Sequence, residues 1–132
     1  MNLALNHTFA FSIPGLLLLL VFFLPVILGV MLLGWQKSVR ILHQESGLSG
    51  HCYFGYSWTY FLFGFFVPVF RGEILIGLLH FFLSVITFGI FQIIMPFLYN
   101  KQYSVRKLTG GWVLNDDYEK NLVAKQKFGF SK

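Results

Sequence analysis

Charged residues are spaced along this chain so that three long stretches carry none. Phe9 to Trp35 is 27 residues without a charge, Tyr53 to Phe70 is 18, and Ile74 to Tyr99 is 26. A helix needs roughly 20 apolar residues to cross a hydrocarbon core about 30 Å thick. At 1.5 Å per residue the second run reaches about 27 Å and the third about 39 Å. The pattern predicts three transmembrane helices, over 9–35, 53–70 and 74–99, with a tail over 100–132. No series of short alternating segments suggests a transmembrane barrel. The expected fold class is all-α: one integral membrane domain over 1–132, its last two helices a tight hairpin, with a small helix in a basic tail.

Composition agrees with that class. The chain is 56% apolar, 20% aromatic and 11% charged, which does not suit a water-soluble domain. The first run lacks a basic leader and far exceeds the apolar length of a secretory signal, so it reads as a retained span. Pro25 lies mid-span, where it removes a backbone hydrogen bond and predicts a kink; Pro14 lies near the start, where proline is tolerated.

Basic residues set the orientation. Met1 to Thr8 carries none, Lys37 and Arg40 follow the first span, Arg71 stands alone between the second and third, and seven occupy the tail. With three crossings, nine of the ten lie on one side. The positive-inside rule then predicts a multi-pass protein of the cytoplasmic (inner) membrane, amino terminus outside and tail in the cytoplasm. The alternative is that Tyr53 to Phe70, short, aromatic and broken by Pro68, is re-entrant, so that Arg71 does not face the outside.

In the tail, Lys101, Arg106 and Lys107 follow the third span closely and predict contact with anionic lipid head groups. NDDYEKNLVAKQK reads as a short helix: Asn115 can cap it, Asp116, Asp117 and Glu119 suit its positive end, and lysines suit the other. It has little to bury alone, so it is expected to dock on the membrane surface, the first loop or a partner.

Motifs for catalysis are missing. Cys52 is the single cysteine, and no phosphate-binding loop, paired metal-binding histidines or nucleophile elbow occurs. The sequence therefore predicts no catalytic residue, no metal and no cofactor, and its partners are expected to be the bilayer and protein rather than nucleic acid.

The polar positions of the third run are ordered. At 100° per residue, Glu73, Gly77, His80, Ser84 and Thr87 fall within one stripe about 80° wide. Ser57, Gly64, Pro68 and Arg71 form a similar stripe on the preceding segment. Small-residue faces allow helices in lipid to approach closely. The expected packing face is thus Ser57, Gly64 and Pro68 against Gly77, Ser84 and Thr87, with Arg71, Gly72 and Glu73 as the hairpin tip at the membrane interface. Glu73, His80, Ser84 and Thr87 form the candidate polar or ion stripe, because a histidine inside a membrane helix is costly enough to suggest function.

The run GYSWTYFLFGFFVPVFRGE, Gly55 to Glu73, resembles the pattern of a family of small uncharacterised bacterial membrane proteins labelled HrgC-like: G-F-S-W-T, F-F-G, P, then F-R-G-D or E. The likeness extends loosely through the last 80 or so residues and leaves out the first span. It implies a helical membrane module, bacterial or phage-borne, with Gly55, Ser57, Trp58, Gly64, Pro68, Arg71 and Gly72 as one structural signature. Glu73 stands where aspartate is commoner, and no reaction is implied. Two expectations follow for function. The first is an accessory subunit that assembles with itself or with a membrane-protein partner. The second is an oligomeric pore or proton path lined by the polar stripe.

Overall fold

A computed structural model describes residues 2–130; Met1, Ser131 and Lys132 lie outside the described residues. Helix α1, Asn2–Leu33, contains Pro14 and Pro25, and its Ile13–Leu33 part is long and apolar enough to cross a membrane. A β-hairpin follows, β1 (Lys37–His43) and β2 (Ser49–Phe54). They pair antiparallel from Lys37 opposite Phe54 to Leu42 opposite Ser49. Strand β3, Trp112–Leu114, adds to the free edge of β1, giving the order β2-β1-β3.

This sheet forms because its strands alternate. Val39, Ile41, Cys52 and Phe54 are buried while Arg40 and His51 point outward, the period-2 pattern of a half-covered sheet. Two helices supply the cover. From α6, Tyr99–Thr109, come Val105 and Leu108; from α7, Tyr118–Phe128, come Ala124 and Phe128. Fully burying an aliphatic side chain such as Val39 or Ile41 contributes about 1.5–3 kcal/mol. The segment read as a loop thus carries one of the hydrophobic cores.

Between the sheet and α6 the chain makes two excursions. It runs out through α2 (Trp58–Phe63), breaks at Gly64 and returns through α3 (Phe66–Phe70). It leaves again through α4 (Ile74–Ile86), turns at residues 87–89, and returns through α5 (Ile90–Ile94) and a 3-10 turn over Met95–Phe97. Neighbouring arms are antiparallel: Gly77 lies against Val69 and the Phe65 carbonyl, and the Phe65 and Phe81 rings are 5.0 Å apart. On the other side the Ser57 amide donates to the Pro96 carbonyl at 3.0 Å, and Gln92 Nε2 donates to the Phe61 carbonyl at 3.2 Å. At the deep turn Phe88 and Gly89 both take positive φ, 53° and 85°. Such a pair stops a helix, since β-carbon crowding disfavours that region for all but glycine. Thr87 bridges the break, its hydroxyl donating to the Leu83 carbonyl at 2.7 Å and accepting from the Phe91 amide at 3.1 Å.

The expected all-α protein with three transmembrane helices is therefore corrected. The described residues form seven α-helices and a three-stranded antiparallel sheet, with one helix able to cross a membrane. Of the predicted second span, Tyr53 and Phe54 belong to β2 and the rest divides at Gly64 into helices of 6 and 5 residues. The third divides at residues 87–89, leaving α4 with 13 residues, about 20 Å. That is too short for a core about 30 Å thick, so a multi-pass topology has no support. Run length misled because uncharged residues measure tolerance of lipid and do not register a change of direction.

The far edge of the sheet is closed by a charge. Asp116 accepts the Arg40 amide at 3.0 Å and the Arg40 guanidinium at 3.3 Å, and the Asp117 amide at 2.8 Å. Asp117, rather than Asn115, stands at the α7 N-cap, while the Asn115 amide continues the sheet by donating to the Arg40 carbonyl at 2.9 Å. The Arg40 amide, then that of Asp117, holds the Asp116 carboxyl well below the usual carboxylate range. A depressed pKa stabilises the folded state above the unfolded value of about 3.9, and that stabilisation is lost as pH falls through the folded value. Protection factors of the α7 amides are thus expected to be equal at pH 7 and pH 5 and to fall only below about pH 4. Asp116→Asn should raise exchange already at pH 7, and wild-type protection that falls between pH 6 and pH 5 would contradict this account.

Candidate functional site

Where the two excursions return to the sheet, polar groups converge. Arg71 and Glu73, two residues apart in the bend, do not pair with each other. Arg71 Nη1 donates to Asn100 Oδ1 at 3.1 Å, and its guanidinium carbon sits 4.0 Å from the Tyr53 ring centroid, 5.1 Å from Tyr99 and 5.0 Å from Tyr103. Ring faces are negative, so three tyrosines hold the cation in place. Glu73 takes a two-pronged bond from Arg106, Nε to Oε1 and Nη2 to Oε2, each 2.8 Å, and a third from the Tyr99 hydroxyl at 3.2 Å. Burial and then the Glu73 charge push the Tyr99 phenol far above its ordinary pKa, which keeps it a donor.

Asn100 is the hub. It is 1% exposed and, besides accepting from Arg71, donates Nδ2 to Gln36 Oε1 at 3.0 Å and to the Gly55 carbonyl at 3.3 Å. Gln36 Oε1 also accepts from the Thr59 hydroxyl at 3.3 Å. One side chain of α6 therefore ties together the exit of α1, the end of β2, the start of α2 and the bend before α4. Ser104, one turn on, pins α6 to β2: it accepts the Tyr53 amide at 2.9 Å and donates to the Tyr53 carbonyl at 2.7 Å.

These contacts relocate the predicted hairpin tip. Arg71, Gly72 and Glu73 do form a bend, but on the same end of the molecule as the sheet and α6. Arg106, expected at lipid head groups, is committed to Glu73, whereas Lys101 is exposed and Lys107 lies over the rings of Tyr103 and Trp112, 5.7 and 4.9 Å from their centroids. The small residues meet other partners than expected. Gly77 faces α3, Gly64 packs on Gln92 of α5, and Ser57 bonds toward Pro96. Pro68 is fully buried.

The polar stripe of α4 faces inward. His80, 5% exposed, shares a 2.9 Å hydrogen bond with the Tyr60 hydroxyl and stands edge-on to Phe91 and Tyr99. Thr87 is occupied at the deep turn, and the Ser84 hydroxyl is buried without a partner among the described residues. Glu73 and His80 point the same way yet each is engaged separately. Among the described residues no three His, Cys, Asp or Glu side chains come together to hold a metal. Cys52 is buried, and burial pushes its thiol up to about 11, which makes it a poor nucleophile.

Sequence reasoning missed Asn100, Gln36, Thr59 and the tyrosines Tyr53, Tyr99 and Tyr103. The available signal was local: Tyr99, Asn100, Tyr103 and Ser104 repeat at helical spacing, a face too polar for lipid and too aromatic for water.

If Asn100 is the hub, Asn100→Ala strands several buried groups at once, each costing about 1–3 kcal/mol. Denaturation in detergent should show a loss of about 2–3 kcal/mol or more, against less than about 0.5 kcal/mol for Lys101→Ala at the exposed neighbour. Equal effects of the two substitutions would refute the hub.

Compared with known protein families, characterised proteins and solved structures, the chain matches none.

Proposed function

We propose that this chain is a membrane-anchored accessory protein that crosses the bilayer once, embeds its two excursions from the cytoplasmic side, and uses α1 to assemble with a second copy or a membrane-protein partner. The observation that carries the reading is the contrast between the bare apolar surface of α1 and the excursions and the polarity of the opposite end. Leu18 is 71% exposed, Met31 77%, Phe70 82%, Leu75 81% and Phe88 97%. Meanwhile every lysine and arginine among the described residues lies on, or is bonded to, the unit of sheet, α6 and α7.

An excursion of about 20 Å reaches past the middle of a core about 30 Å thick without crossing it. Under one crossing the basic residues share a side, a stronger asymmetry than three crossings allow, and the positive-inside rule makes that side the cytoplasm. The HrgC-like pattern is the ground for a bacterial cytoplasmic membrane. Assembly is assigned to α1 because, among its residues whose side chains are described, contacts within the chain are few: Phe22 on Phe61, ring centroids 5.3 Å apart, and Gly29, where a β-carbon would collide with the Tyr56 ring. Gly77 of α4 is spent on internal packing, and Glu73, His80 and Thr87 are bonded within the chain, which favours the accessory reading over a pore lined by the stripe.

Topology is checked by cysteine labelling with a membrane-impermeant maleimide, applied to intact cells and, to expose the cytoplasmic face, to inverted membrane vesicles. Phe70→Cys and Ile74→Cys, both exposed and flanking the bend, should react from the same side as Glu119→Cys in the tail, while buried Cys52 stays silent in the parent. Labelling of the bend from the opposite face would restore three crossings. Assembly is checked by native mass spectrometry of the whole chain from a gentle detergent. A stoichiometric companion or a second copy is expected, and a bare monomer with negative crosslinking along α1 would sink the accessory reading.

A further inference from the structure

We propose that Arg71 is the anchor of a binding site for the phosphate of an anionic membrane lipid. A cavity of about 330 Å³ opens between the end of α1, β2 and the first excursion, lined by Gln36, Tyr53, Thr59, Phe63, Val67, Phe70 and Arg71. Its walls differ in kind. Phe63, Val67 and Phe70 make an apolar side continuous with the exposed flank of α2 and α3, while Arg71, Thr59 and Gln36 gather at the sheet end.

Three features of Arg71 select the occupant. Its position is fixed before any ligand arrives, by Asn100 and the three tyrosine faces. A guanidinium carries five N–H donors, of which Asn100 takes one. And no carboxylate lies within ion-pair reach of it among the described residues, since the nearby Glu73 is given over to Arg106. A cation held rigid, part-buried and without a counter-ion at the mouth of an apolar groove is complementary to an oxyanion attached to a hydrocarbon chain. Phosphate suits the planar fork of arginine. Gln36 spends its oxygen on Asn100 and Thr59, which leaves its amide N–H groups for the ester or glycerol oxygens, and the acyl chain follows Phe63, Val67 and Phe70 into the leaflet.

The inference rests on the reading in which the excursions are embedded, which the labelling experiment tests by itself. Lipid binding is measured on the full chain in detergent by native mass spectrometry with phosphatidylglycerol and with phosphatidylcholine of the same chain length. The wild type should hold one phosphatidylglycerol at least about tenfold more tightly than phosphatidylcholine, the scale of one charge-assisted contact. Arg71→Gln should abolish that preference. Because Arg71→Gln disturbs the tyrosine cage, Thr59→Glu is the second probe: it sets a carboxylate at the cavity wall, supplies the missing counter-ion without removing the cage, and should abolish the preference while the protein stays folded. Lys101→Gln with Lys107→Gln should change it less than about threefold. Loss of the preference in the lysine variant alone, or its retention in both Arg71→Gln and Thr59→Glu, overturns the site. Glycerol 3-phosphate competing at the affinity of the lipid would show a soluble phosphate ester as the ligand and overturn the lipid assignment.

Discussion

A charge among apolar side chains is expensive, and the course of this chain follows from where Arg71 and Glu73 must go. Arg71 and Glu73 interrupt two apolar runs. An arginine at the centre of a membrane helix costs about 2.5–3.5 kcal/mol even on the most lenient scale. The chain meets that cost by turning back, so that both residues reach the end of the molecule where α6 and the sheet offer partners. Asn100 and the tyrosine faces receive the cation, and Arg106 with Tyr99 receives the carboxylate. The two short helical arms on either side exist because the bend between them is anchored in polar surroundings.

Once the bend is fixed, the lengths of the arms follow. A chain that begins and ends each excursion at one end must reverse among apolar side chains, and each reversal leaves backbone groups to satisfy. The first reversal uses Gly64, against which Gln92 lies close enough to donate to the Phe61 carbonyl. The second uses the Thr87 hydroxyl across the helix break and two residues at positive φ. Gln92 and Thr87, polar residues within an apolar run, are therefore the groups that satisfy the irregular backbone at the two reversals. The hydrogen bond between His80 and Tyr60 does the same for side chains, matching one polar atom against another between the arms.

This separates what was legible in the sequence from what was not. Helix α1 was legible because a single property, uninterrupted apolarity, determines it. The inward stripe of α4 was legible because helical periodicity is local. The sheet could have been read from Val39, Ile41, Cys52 and Phe54 alternating around the turn at residues 44–48, but a chain rich in longer apolar runs draws the eye to span length. The direction of the bend was not legible. Arg71 finds Asn100 29 positions on, and Glu73 finds Arg106 33 positions on. Charge counting places Arg71 alone between two spans and has no term for a partner that reaches it through folding. A run of 18 uncharged residues is equally consistent with one crossing and with a path in and out; the break at Gly64 decides between them.

The separation of the two charges also accounts for the asymmetry of the polar end. Had Arg71 paired with Glu73 across the bend, the cluster would be neutral and Arg106 would be free to face the head groups. Instead Arg106 neutralises Glu73 with fork geometry and both bonds at 2.8 Å, which a lysine could not match. The net positive charge thereby moves to Arg71. There it is held by aromatic faces that stabilise a cation without cancelling it, and by an amide oxygen that accepts one hydrogen bond and adds no charge. Tyr53 contributes its ring to that cage and its backbone to Ser104, so the position of the cation is coupled to the seating of α6 on the sheet. A fold needing only to hide Arg71 would give it the carboxylate two residues away. This one spends that carboxylate elsewhere and leaves the arginine charged beside the apolar flank of α2 and α3.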